Sequence, residues 1–412
     1  MKFGCIGGSL KHSFSKQIHN RIGDDYELVE LTPEELAAFM DAKDFQAINV
    51  TIPYKEVVMS YLDEIDEEAQ AIGAVNTIIN KDGKLYGYNT DFYGLSMLAA
   101  RAGIDFDDKK VLVLGTGGTA KTAVTVAQSM GAKQTIVVSR KKANGVINYD
   151  EAMKNHRDAD IIINATPIGM FPKILGKPIE ISKFRNLQGV LDVVYNPLAT
   201  PLVLDAKKHG IKAEGGLYML IAQAVRASEM FHGKKHSDGL LEKIYSEIEK
   251  ENQNIVLIGM PSCGKSTIGA MLAEKLNREF MDTDALIVER TGSEPAKILD
   301  TKGEETFRDV ESTVLLSAAP KNGIVIATGG GIVLRAENMA ALKENGKIYF
   351  IDRPVDKLTA TEDRPLSATK EALEAMYRDR VYLYNKHSHV RIDGDGTPEE
   401  VCERIINDFL GK

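Results

Sequence analysis

Short apolar runs separated by longer polar stretches divide the chain into three blocks of alternating strand and helix patterns. In the first block, residues 1 to about 100, apolar runs at 3–8 and 47–53 predict strands. Two further runs, 77–79 and 85–88, flank the sequence Asn-Lys-Asp-Gly, which predicts a hairpin turn. The first block therefore predicts a small α/β domain.

The second block, from about residue 110, predicts a parallel sheet. A buried strand at 111–114 precedes Gly-Thr-Gly-Gly and a helix that runs to about residue 130. β-branched runs follow at 135–138, 161–164 and 190–194. Strands that alternate with helices in this way indicate parallel pairing.

A polar helical stretch at 238–252 separates the second block from the third. Its apolar residues recur at helical spacing: Leu240, Leu241, Ile244, Tyr245 and Ile248. The sequence NIVLIG then starts a new strand–loop–helix pattern at Asn254. This restart is the clearest domain boundary in the chain.

Composition and charge narrow the class of protein. The 412 residues are 43% hydrophobic and 27% charged, with a formal net charge of -8. An acidic chain is a poor ligand for nucleic acid or anionic membranes, so we expect neither as a partner. The three cysteines, Cys5, Cys263 and Cys402, are odd in number and far apart, which predicts a reducing cytoplasm. No signal-peptide pattern and no apolar run of about 18–20 residues is present.

The third block carries a complete phosphate-binding motif. Gly259-Met-Pro-Ser-Cys-Gly264-Lys265-Ser266 follows an apolar strand at 255–258 and precedes a helix at 267–276. Backbone N–H groups of such a loop wrap phosphate oxygens, the lysine reaches the β- and γ-phosphates, and the serine hydroxyl ligates Mg²⁺. A chance match on a glycine-rich turn is the weaker alternative. The predicted ATP-binding residues of the loop are Pro261, Ser262, Cys263, Gly264, Lys265, Ser266 and Thr267.

The same block offers an acceptor site. Asp282 and Asp284 come just after a strand, so that one carboxylate could lie near the metal and the other could hold a substrate hydroxyl. A triple glycine at 329–331 follows another strand. Three arginines are candidate clamps for carboxylate or phosphate, although each alone is more often a surface residue: Arg308, Arg364 and Arg380. Together with the loop they favour a kinase for a small anionic hydroxy acid.

In order and spacing, GMPSCGKST, FMDTD, ETFRDVE, ATGGGIV and RPLS resemble shikimate kinase over about 254–412. The resemblance implies Mg²⁺ at Ser266 and Asp282, and Arg364 on the nucleotide from a lid. It implies that shikimate is held by Asp284, Arg308, Gly330 and Arg380, with Asp284 assisting deprotonation of the 3-hydroxyl. The lid sequence is short and lacks the usual basic residues before Arg-Pro, and the R-x-P-L-Y segment lacks its proline.

The first two blocks contain a second set of polar clusters. Ser13 and Ser15 are predicted in a loop, Thr51 lies in the apolar run at 47–53 with Lys55 just after it, and Asp91 follows another run. A lysine and an aspartate at a cleft form a proton-transfer pair, although a surface salt bridge fits the spacing equally well.

The glycine loop at 115–118 suits a dinucleotide. Ser139-Arg140-Lys141-Lys142 at the next strand end suits the 2′-phosphate of NADP, or is a solvated charge run.

GGSLKHSFS, NVTIPYK, GAVNT, GYNTDFYG, LGTGGTAKT, INATPIGM, DVVYNPLATPL and GGLYMLIAQA resemble shikimate dehydrogenase over about 1–232. The resemblance implies Lys55 as the proton donor or acceptor, paired with Asp91. The substrate-binding residues that it implies are Ser13, Ser15, Thr51, Asn76, Asp91, Tyr195 and Gln223. The NADP-binding residues that it implies are Gly115, Thr116, Gly117, Gly118, Thr119, Ser139, Arg140, Lys141 and Gly216. Two compressed segments predict a smaller substrate domain and fewer adenine contacts.

The two resemblances together predict a bifunctional α/β enzyme of aromatic amino acid biosynthesis. It would reduce 3-dehydroshikimate with NADPH and then phosphorylate shikimate with ATP. We predict a substrate-binding domain at 1–100, completed by helices at about 222–250, a Rossmann-like NADP domain at 101–221, and a P-loop kinase domain at 253–412. A weak or regulatory kinase module, and an NAD-linked or quinate dehydrogenase, stay open, as does a homodimer. A non-enzymatic scaffold fits the sequence least.

Overall fold

The computed structural model describes residues 1–10, 13–360, 366 and 368–411. The chain divides into two compact units, Met1–Glu249 and Lys250–Lys412. Each unit is an α/β structure. No helix among the described residues is long and apolar enough to span a membrane.

The first unit contains two sheets, and the first of these is mixed. Its strands are β1 (Phe3–Gly7), β2 (Tyr26–Glu30), β3 (Ala47–Val50), β4 (Glu64–Ile65), β5 (Thr77–Lys81) and β6 (Lys84–Tyr88), in the order β2-β1-β3-β5-β6-β4. β5 and β6 form the predicted hairpin, with Lys81 paired to Lys84 and positive φ at both Asp82 and Gly83. Two positive φ angles match the twist of a two-residue hairpin turn.

The second sheet of this unit is entirely parallel, as predicted. Its strands are β7 (Lys110–Leu114), β8 (Gln134–Ser139), β9 (Val146–Asn148), β10 (Ile161–Asn164), β11 (Gly189–Asp192) and β12 (Lys212–Glu214), in the order β12-β11-β10-β7-β8-β9. This is the doubly wound order of dinucleotide-binding sheets, whose ligands bind beyond the carboxyl ends of the strands. β10 and β11 are buried along their whole length because helices cover both faces.

Helices connect these strands. The α-helices that begin in this unit are α1 (Ser15–Ile22), α2 (Pro33–Ala42), α3 (Glu67–Ile72), α4 (Thr90–Ala102), α5 (Gly118–Ser129), α6 (Tyr149–Asn155), α7 (Pro201–Lys208), α8 (Leu217–His232) and α9 (Leu240–Asn252), with 3-10 helices at Val57–Tyr61 and Ile181–Lys183. α8 packs against α1 and α4, so its side chains reach the first sheet's carboxyl-end loops.

The second unit holds one parallel sheet. Its strands are β13 (Asn254–Ile258), β14 (Phe280–Asp282), β15 (Val325–Ala327), β16 (Gly346–Asp352) and β17 (Val390–Asp393), in the order β14-β15-β13-β16-β17. Its helices are α10 (Lys265–Leu276), α11 (Thr283–Thr291), α12 (Pro295–Lys302), α13 (Glu304–Ala318), α14 (Ala336–Asn345), α15 (Lys370–His387) and α16 (Pro398–Leu410), with 3-10 helices at Ile332–Leu334 and Val355–Lys357. Buried β13 and β15 place the glycine-rich loops that follow them side by side.

Several predicted boundaries were wrong. The strand predicted at 47–53 ends at Val50, because the chain turns there and Pro53 has no N–H to donate to a neighbouring strand. Ser15 was predicted in a loop but is the first residue of α1. The half-exposed strand β2 was missed, since its sequence YELVE carries too few apolar residues to mark it.

Candidate functional site

The first unit brings Lys55 and Asp91 together, as predicted. Lys55 lies in the turns after β3, and Asp91 lies in the first turn of α4, whose amino end is capped by the Asn89 side chain. Lys55 Nζ donates to Asp91 Oδ2 over 2.5 Å. The two side chains are 14% and 9% exposed, so this is a partly buried pair and not a surface salt bridge.

Three polar side chains form a cluster beside this pair. Asn76 precedes β5, Thr90 precedes Asp91, and Gln223 reaches in from α8. Asn76 Oδ1 accepts from the Thr90 backbone N–H at 2.7 Å, and Asn76 Nδ2 donates to the Thr90 hydroxyl at 3.1 Å. The Thr90 hydroxyl donates to Gln223 Oε1 at 3.3 Å. Thr90 is not among the predicted site residues, and it joins two that are, Asn76 and Gln223.

A second layer lies behind Asn76. Asn49 is buried and donates from Nδ2 to the Asn76 carbonyl (3.3 Å) and to the Thr77 hydroxyl (3.1 Å). The Tyr26 hydroxyl donates to Asn49 Oδ1 at 2.6 Å, which fixes the orientation of the Asn49 amide. Tyr26 lies on β2, the strand that the sequence did not reveal, so this contact had no sequence signal.

Ser13 and Ser15 are in contact, and Phe14 between them packs against Tyr195. The Ser13 hydroxyl donates to the Ser15 hydroxyl at 3.1 Å, and the ring of Phe14 lies 5.3 Å from the ring of Tyr195. Burial raises the pKa of Tyr195, so its phenol stays neutral. Thr51 lies one residue past the end of β3, and its backbone N–H donates to Ile6.

The predicted dinucleotide loop joins β7 to α5. Gly115 has φ +117°, Thr116 follows it, Gly117 is the N-cap of α5, and Gly118 and Thr119 begin that helix. A helix amino end with free N–H groups suits a phosphate. A Cβ on Gly118 would lie 3.7 Å from the Lys55 side chain, so the loop and the Lys55–Asp91 pair are adjacent.

The basic cluster lies at the end of the next strand. Ser139 ends β8, and Arg140, Lys141 and Lys142 are exposed after it, with Lys142 paired to Glu151.

Gly216, the last of the predicted cofactor residues, is the N-cap of α8, where a Cβ would lie 2.2 Å from the Val193 carbonyl oxygen. No side chain other than hydrogen fits there.

The loop of the second unit wraps around its own lysine. Lys265 Nζ donates to the carbonyls of Gly259 and Met260, at 3.0 and 2.8 Å, and is only 8% exposed. The Ser266 hydroxyl donates to Asp282 Oδ2 at 2.5 Å, so the two predicted metal ligands are in contact. Cys263 is buried with its sulfur 3.7 Å from Lys265 Nζ.

A cleft of about 1210 Å³ unites the predicted nucleotide and acceptor residues of this unit. Its wall includes every described residue predicted for the two sites except the buried Cys263 and the metal ligand Asp282: Pro261, Ser262, Gly264, Lys265, Ser266, Thr267, Asp284, Arg308, Gly330 and Arg380. Arg364 lies outside the described residues. Its role in a short lid therefore stays a prediction.

Arg308 is fixed at the cleft by carboxylates on its own helix. Its Nη1 donates to Glu311 at 2.8 Å and its Nη2 to Glu304 at 3.1 Å. A Cβ on Gly331 would lie 2.1 Å from Arg308 Nη1, so only glycine leaves room for the guanidinium. Burial and the nearby Asp284 raise the pKa of Glu311 despite its arginine partner. Sequence reasoning missed Glu311, although its i, i+3 spacing from Arg308 was a usable signal.

Arg380 and Tyr384, one turn apart on α15, share an acceptor. The Tyr384 hydroxyl donates to the Gly330 carbonyl at 2.6 Å, and Arg380 Nη1 donates to the same oxygen at 3.3 Å. Tyr384 is completely buried. The missing proline of this segment leaves the helix continuous from Lys370 to His387.

Comparison with known proteins gives a family for the first unit. The family model "Shikimate dehydrogenase substrate binding domain" matches residues 5–78. The shikimate dehydrogenase (NADP(+)) of Clostridium beijerinckii is 38% identical over 265 residues, which cover 60% of this chain and 98% of that protein. The protein of the same name from Clostridium perfringens strain SM101 is 38% identical over 266 residues, with the same coverage.

Solved structures agree. Shikimate dehydrogenase 1 from Peptoclostridium difficile has 37% identity and a TM-score of 0.56, covering 60% of this chain and 98% of its own. Shikimate 5-dehydrogenase from Thermus thermophilus, in complex with NADP(H) and shikimate, has 28% identity and a TM-score of 0.54, covering 60% of this chain and 99% of its own.

The family model "Shikimate kinase" matches residues 261–409, within the second unit. The chain therefore belongs to the shikimate dehydrogenase family and carries a shikimate kinase domain after the dehydrogenase.

Proposed function

We propose that this chain reduces 3-dehydroshikimate to shikimate with NADPH and then phosphorylates shikimate at the 3-hydroxyl with ATP. The observation that carries the proposal is that each unit gathers its predicted catalytic side chains at one site. Lys55 and Asp91 form a hydrogen-bonded pair in the first unit, and Lys265, Asp284 and Arg308 line one cleft in the second. The product of the first reaction is the acceptor of the second.

In the dehydrogenase, Lys55 is positioned to deliver a proton to the 3-oxygen. Asp91 accepts a hydrogen bond from its ammonium group and so holds the side chain in one orientation. The Asn76–Thr90–Gln223 cluster would bind the ring hydroxyls, and Ser13 and Ser15 the carboxylate. Thr51 and Tyr195 would complete the site.

The glycine loop and the basic cluster fit NADP. Bound NADPH supplies the hydride. The N–H groups at the start of α5 suit its diphosphate. Gly216, where only glycine fits against the Val193 carbonyl, would lie beside the nicotinamide ring. Arg140 and Lys141 are exposed cations at the strand end where a 2′-phosphate would lie, and this supports NADP over NAD.

In the kinase, Asp284 would orient the 3-hydroxyl and assist its deprotonation, and Arg308 and Arg380 would bind the ring carboxylate. ATP supplies the phosphoryl group. Lys265 holds a positive charge at the centre of the loop, where it would offset charge on the transferring phosphate. Arg364 would act from the lid.

The donor set at Ser266 and Asp282 fits Mg²⁺. A hydroxyl and a carboxylate oxygen 2.5 Å apart are hard oxygen ligands beside the phosphate loop, which is the usual setting of this ion. Mg²⁺ would neutralise phosphate charge and orient the nucleotide there.

We also propose the three functional domains at 1–100, 101–221 and 253–412, with α8 and α9 completing the first. A cytoplasmic location is supported by three cysteines that are free and buried. The partners would be small molecules, without nucleic acid or membrane, and a homodimer is the simplest assembly to test.

Steady-state assays of both half-reactions on the whole chain test the proposal. We expect NADPH oxidation with 3-dehydroshikimate, and ADP release with shikimate and Mg-ATP. ADP release no faster than that of Lys265→Ala would leave the kinase as a binding module. Faster turnover with NAD than with NADP, or with quinate than with shikimate, would replace the proposed dehydrogenase with one of its alternatives.

A further inference from the structure

A buried carboxylate, Asp192, lies at the carboxyl edge of the parallel sheet in the first unit. Asp192 ends β11 and is inaccessible to solvent. Its Oδ1 accepts from the Val194 N–H at 3.0 Å and from Asn164 Nδ2 at 2.9 Å, and its Oδ2 accepts from the Thr200 hydroxyl at 2.7 Å. The described part of the chain gives it no lysine or arginine partner.

This arrangement is costly for folding. Burial raises the pKa of Asp192 to about 6, because the loss of hydration outweighs the three hydrogen bonds. A buried charge without a cation stabilises a fold less than a well-packed apolar side chain does. The carboxylate is therefore better explained by what it positions than by what it adds to stability.

Asp192 acts on two chain segments at once. Asn164 ends β10 and is paired in register with Asp192 on β11. Asn164 Oδ1 accepts from the Thr166 N–H at 3.1 Å and from the Thr166 hydroxyl at 2.7 Å. The loops after β10 and after β11 thus depend on a single carboxylate. Thr200, the N-cap of α7, links the start of that helix to the same carboxylate.

Both loops contact glycines of the proposed cofactor site. The Ala165 carbonyl oxygen lies 3.0 Å from where a Cβ on Gly115 would be, and the Val193 carbonyl oxygen lies 2.2 Å from that of Gly216. The Gly216 N–H donates to the Val194 carbonyl at 2.9 Å. The loop after β11 also carries Tyr195.

We propose that Asp192 is a positioning residue of the dehydrogenase. Through Asn164, Val194 and Thr200 it fixes the backbone that sets Gly115, Gly216 and Tyr195 relative to one another. It contacts neither substrate nor cofactor itself. The inference rests on the proposed NADPH-dependent reduction and adds a residue to which the family resemblance gave no role.

Asp192→Ala and Asp192→Asn in the full chain separate positioning from folding. Asparagine keeps the Oδ1 acceptor and can donate from Nδ2 to the Thr200 hydroxyl, whereas alanine removes all three bonds. We expect alanine to lower kcat about 30-fold or more and to weaken NADPH binding, because small shifts of bound groups cost this much. The KM for 3-dehydroshikimate should rise less than the KM for NADPH, since Asn76 and Gln223 lie outside these loops and Tyr195 is the one proposed substrate contact that depends on Asp192. Asparagine should restore kcat to within about fivefold of the wild type.

Two controls keep the test decisive. Kinase turnover on the same chain reports an intact second unit, and thermal unfolding reports the first. If alanine prevents folding, Thr200→Val, which keeps the side-chain shape and removes the bond to Asp192 together with the N-cap bond from the Val203 N–H, should still lower kcat about threefold or more. NADPH binding, followed by the fluorescence of the reduced nicotinamide, tests the inference even if the wild type turns over neither proposed substrate. Wild-type NADPH binding and kcat in a folded Asp192→Ala variant, or equal losses in alanine and asparagine, would overturn it.

Discussion

The two units each centre on a lysine, but they surround it differently. Lys55 donates to a carboxylate, Asp91, at 2.5 Å, whereas Lys265 donates to two backbone carbonyls of its own loop. A carboxylate partner orients an ammonium group that gives up and recovers a proton. Carbonyl partners leave the full positive charge available to phosphate. In the proposed mechanism the same side chain would therefore serve acid–base chemistry in one unit and charge stabilisation in the other.

Exchanging each lysine for methionine breaks this comparison most severely. Lys55→Met should lower dehydrogenase kcat about 10³-fold by removing the proton donor, and Lys265→Met should lower kinase kcat about 10²- to 10³-fold. Each variant should keep the other activity, since each lysine belongs to a separate compact unit. Both half-reactions are measured on both proteins. Parallel loss of both activities in either variant would contradict two independent sites.

The two proposed phosphate sites also differ. Arg140, proposed to bind the 2′-phosphate of NADP, is exposed, whereas the kinase loop is closed around Lys265. Arg140→Ala should raise the KM for NADPH about tenfold and change the KM for NADH little, since only NADPH has a 2′-phosphate. Arg157→Ala, an exposed arginine of the same unit whose Nε donates to Lys183, is the matched control. Equal effects on both nucleotides would rule out 2′-phosphate recognition at Arg140.

Tyr384 holds the carbonyl of Gly330, a residue on the wall of the proposed shikimate site in the kinase. Tyr384→Phe should raise the KM for shikimate about fivefold by releasing the Gly330 carbonyl, with the KM for ATP unchanged. Tyr349→Phe removes the same atom from another buried tyrosine, whose hydroxyl donates to Asp408 instead. A similar rise of the KM in Tyr349→Phe would show that the effect is one of general stability.

Substitution of a buried carboxyl group away from both sites should have the smallest effect on activity. Asp192 has three donors, whereas Glu344 Oε2 has no hydrogen-bond partner among the described residues, and burial raises the pKa of Glu344 to about 9. The folded state therefore keeps a proton that the unfolded state releases near pH 4.5, so stability should fall as pH rises from about 4.5 to 9. Glu344→Gln should remove this fall and stabilise the chain at pH 7 by on the order of 3 kcal/mol.

Thermal unfolding of wild type and Glu344→Gln between pH 5 and 9 measures this, with both kinetic activities unchanged. A wild-type melting temperature that does not fall with pH relative to the variant would show that Glu344 is ionised in the folded protein.

The sequence predicted those features whose signal is local. Short runs of residues predicted three such features, and the structure contains each of them: the Gly259–Ser266 loop, the Asn-Lys-Asp-Gly hairpin and the parallel second sheet. Family resemblance added residues that are distant in the chain, such as Gln223. The structure brings Gln223 into hydrogen-bonding contact with Thr90.

The rest depends on contacts that no local pattern encodes. Tyr26 and Asn49 meet across β1, which separates their strands in the sheet, and the edge strand that carries Tyr26 has little apolar periodicity. Asp192 gains the Asn164 donor only when β10 and β11 align. Buried polar networks of this kind depend on tertiary register, so the residues behind a site are harder to predict than those that line it.

The product formed from 3-dehydroshikimate by the purified chain, with NADPH and Mg-ATP together, tests the central claim most directly. The two-site account predicts shikimate 3-phosphate as the end product, with one NADPH oxidised and one ADP formed for each molecule of substrate consumed. Accumulation of shikimate while ATP stays intact, with both cosubstrates in excess, would contradict it.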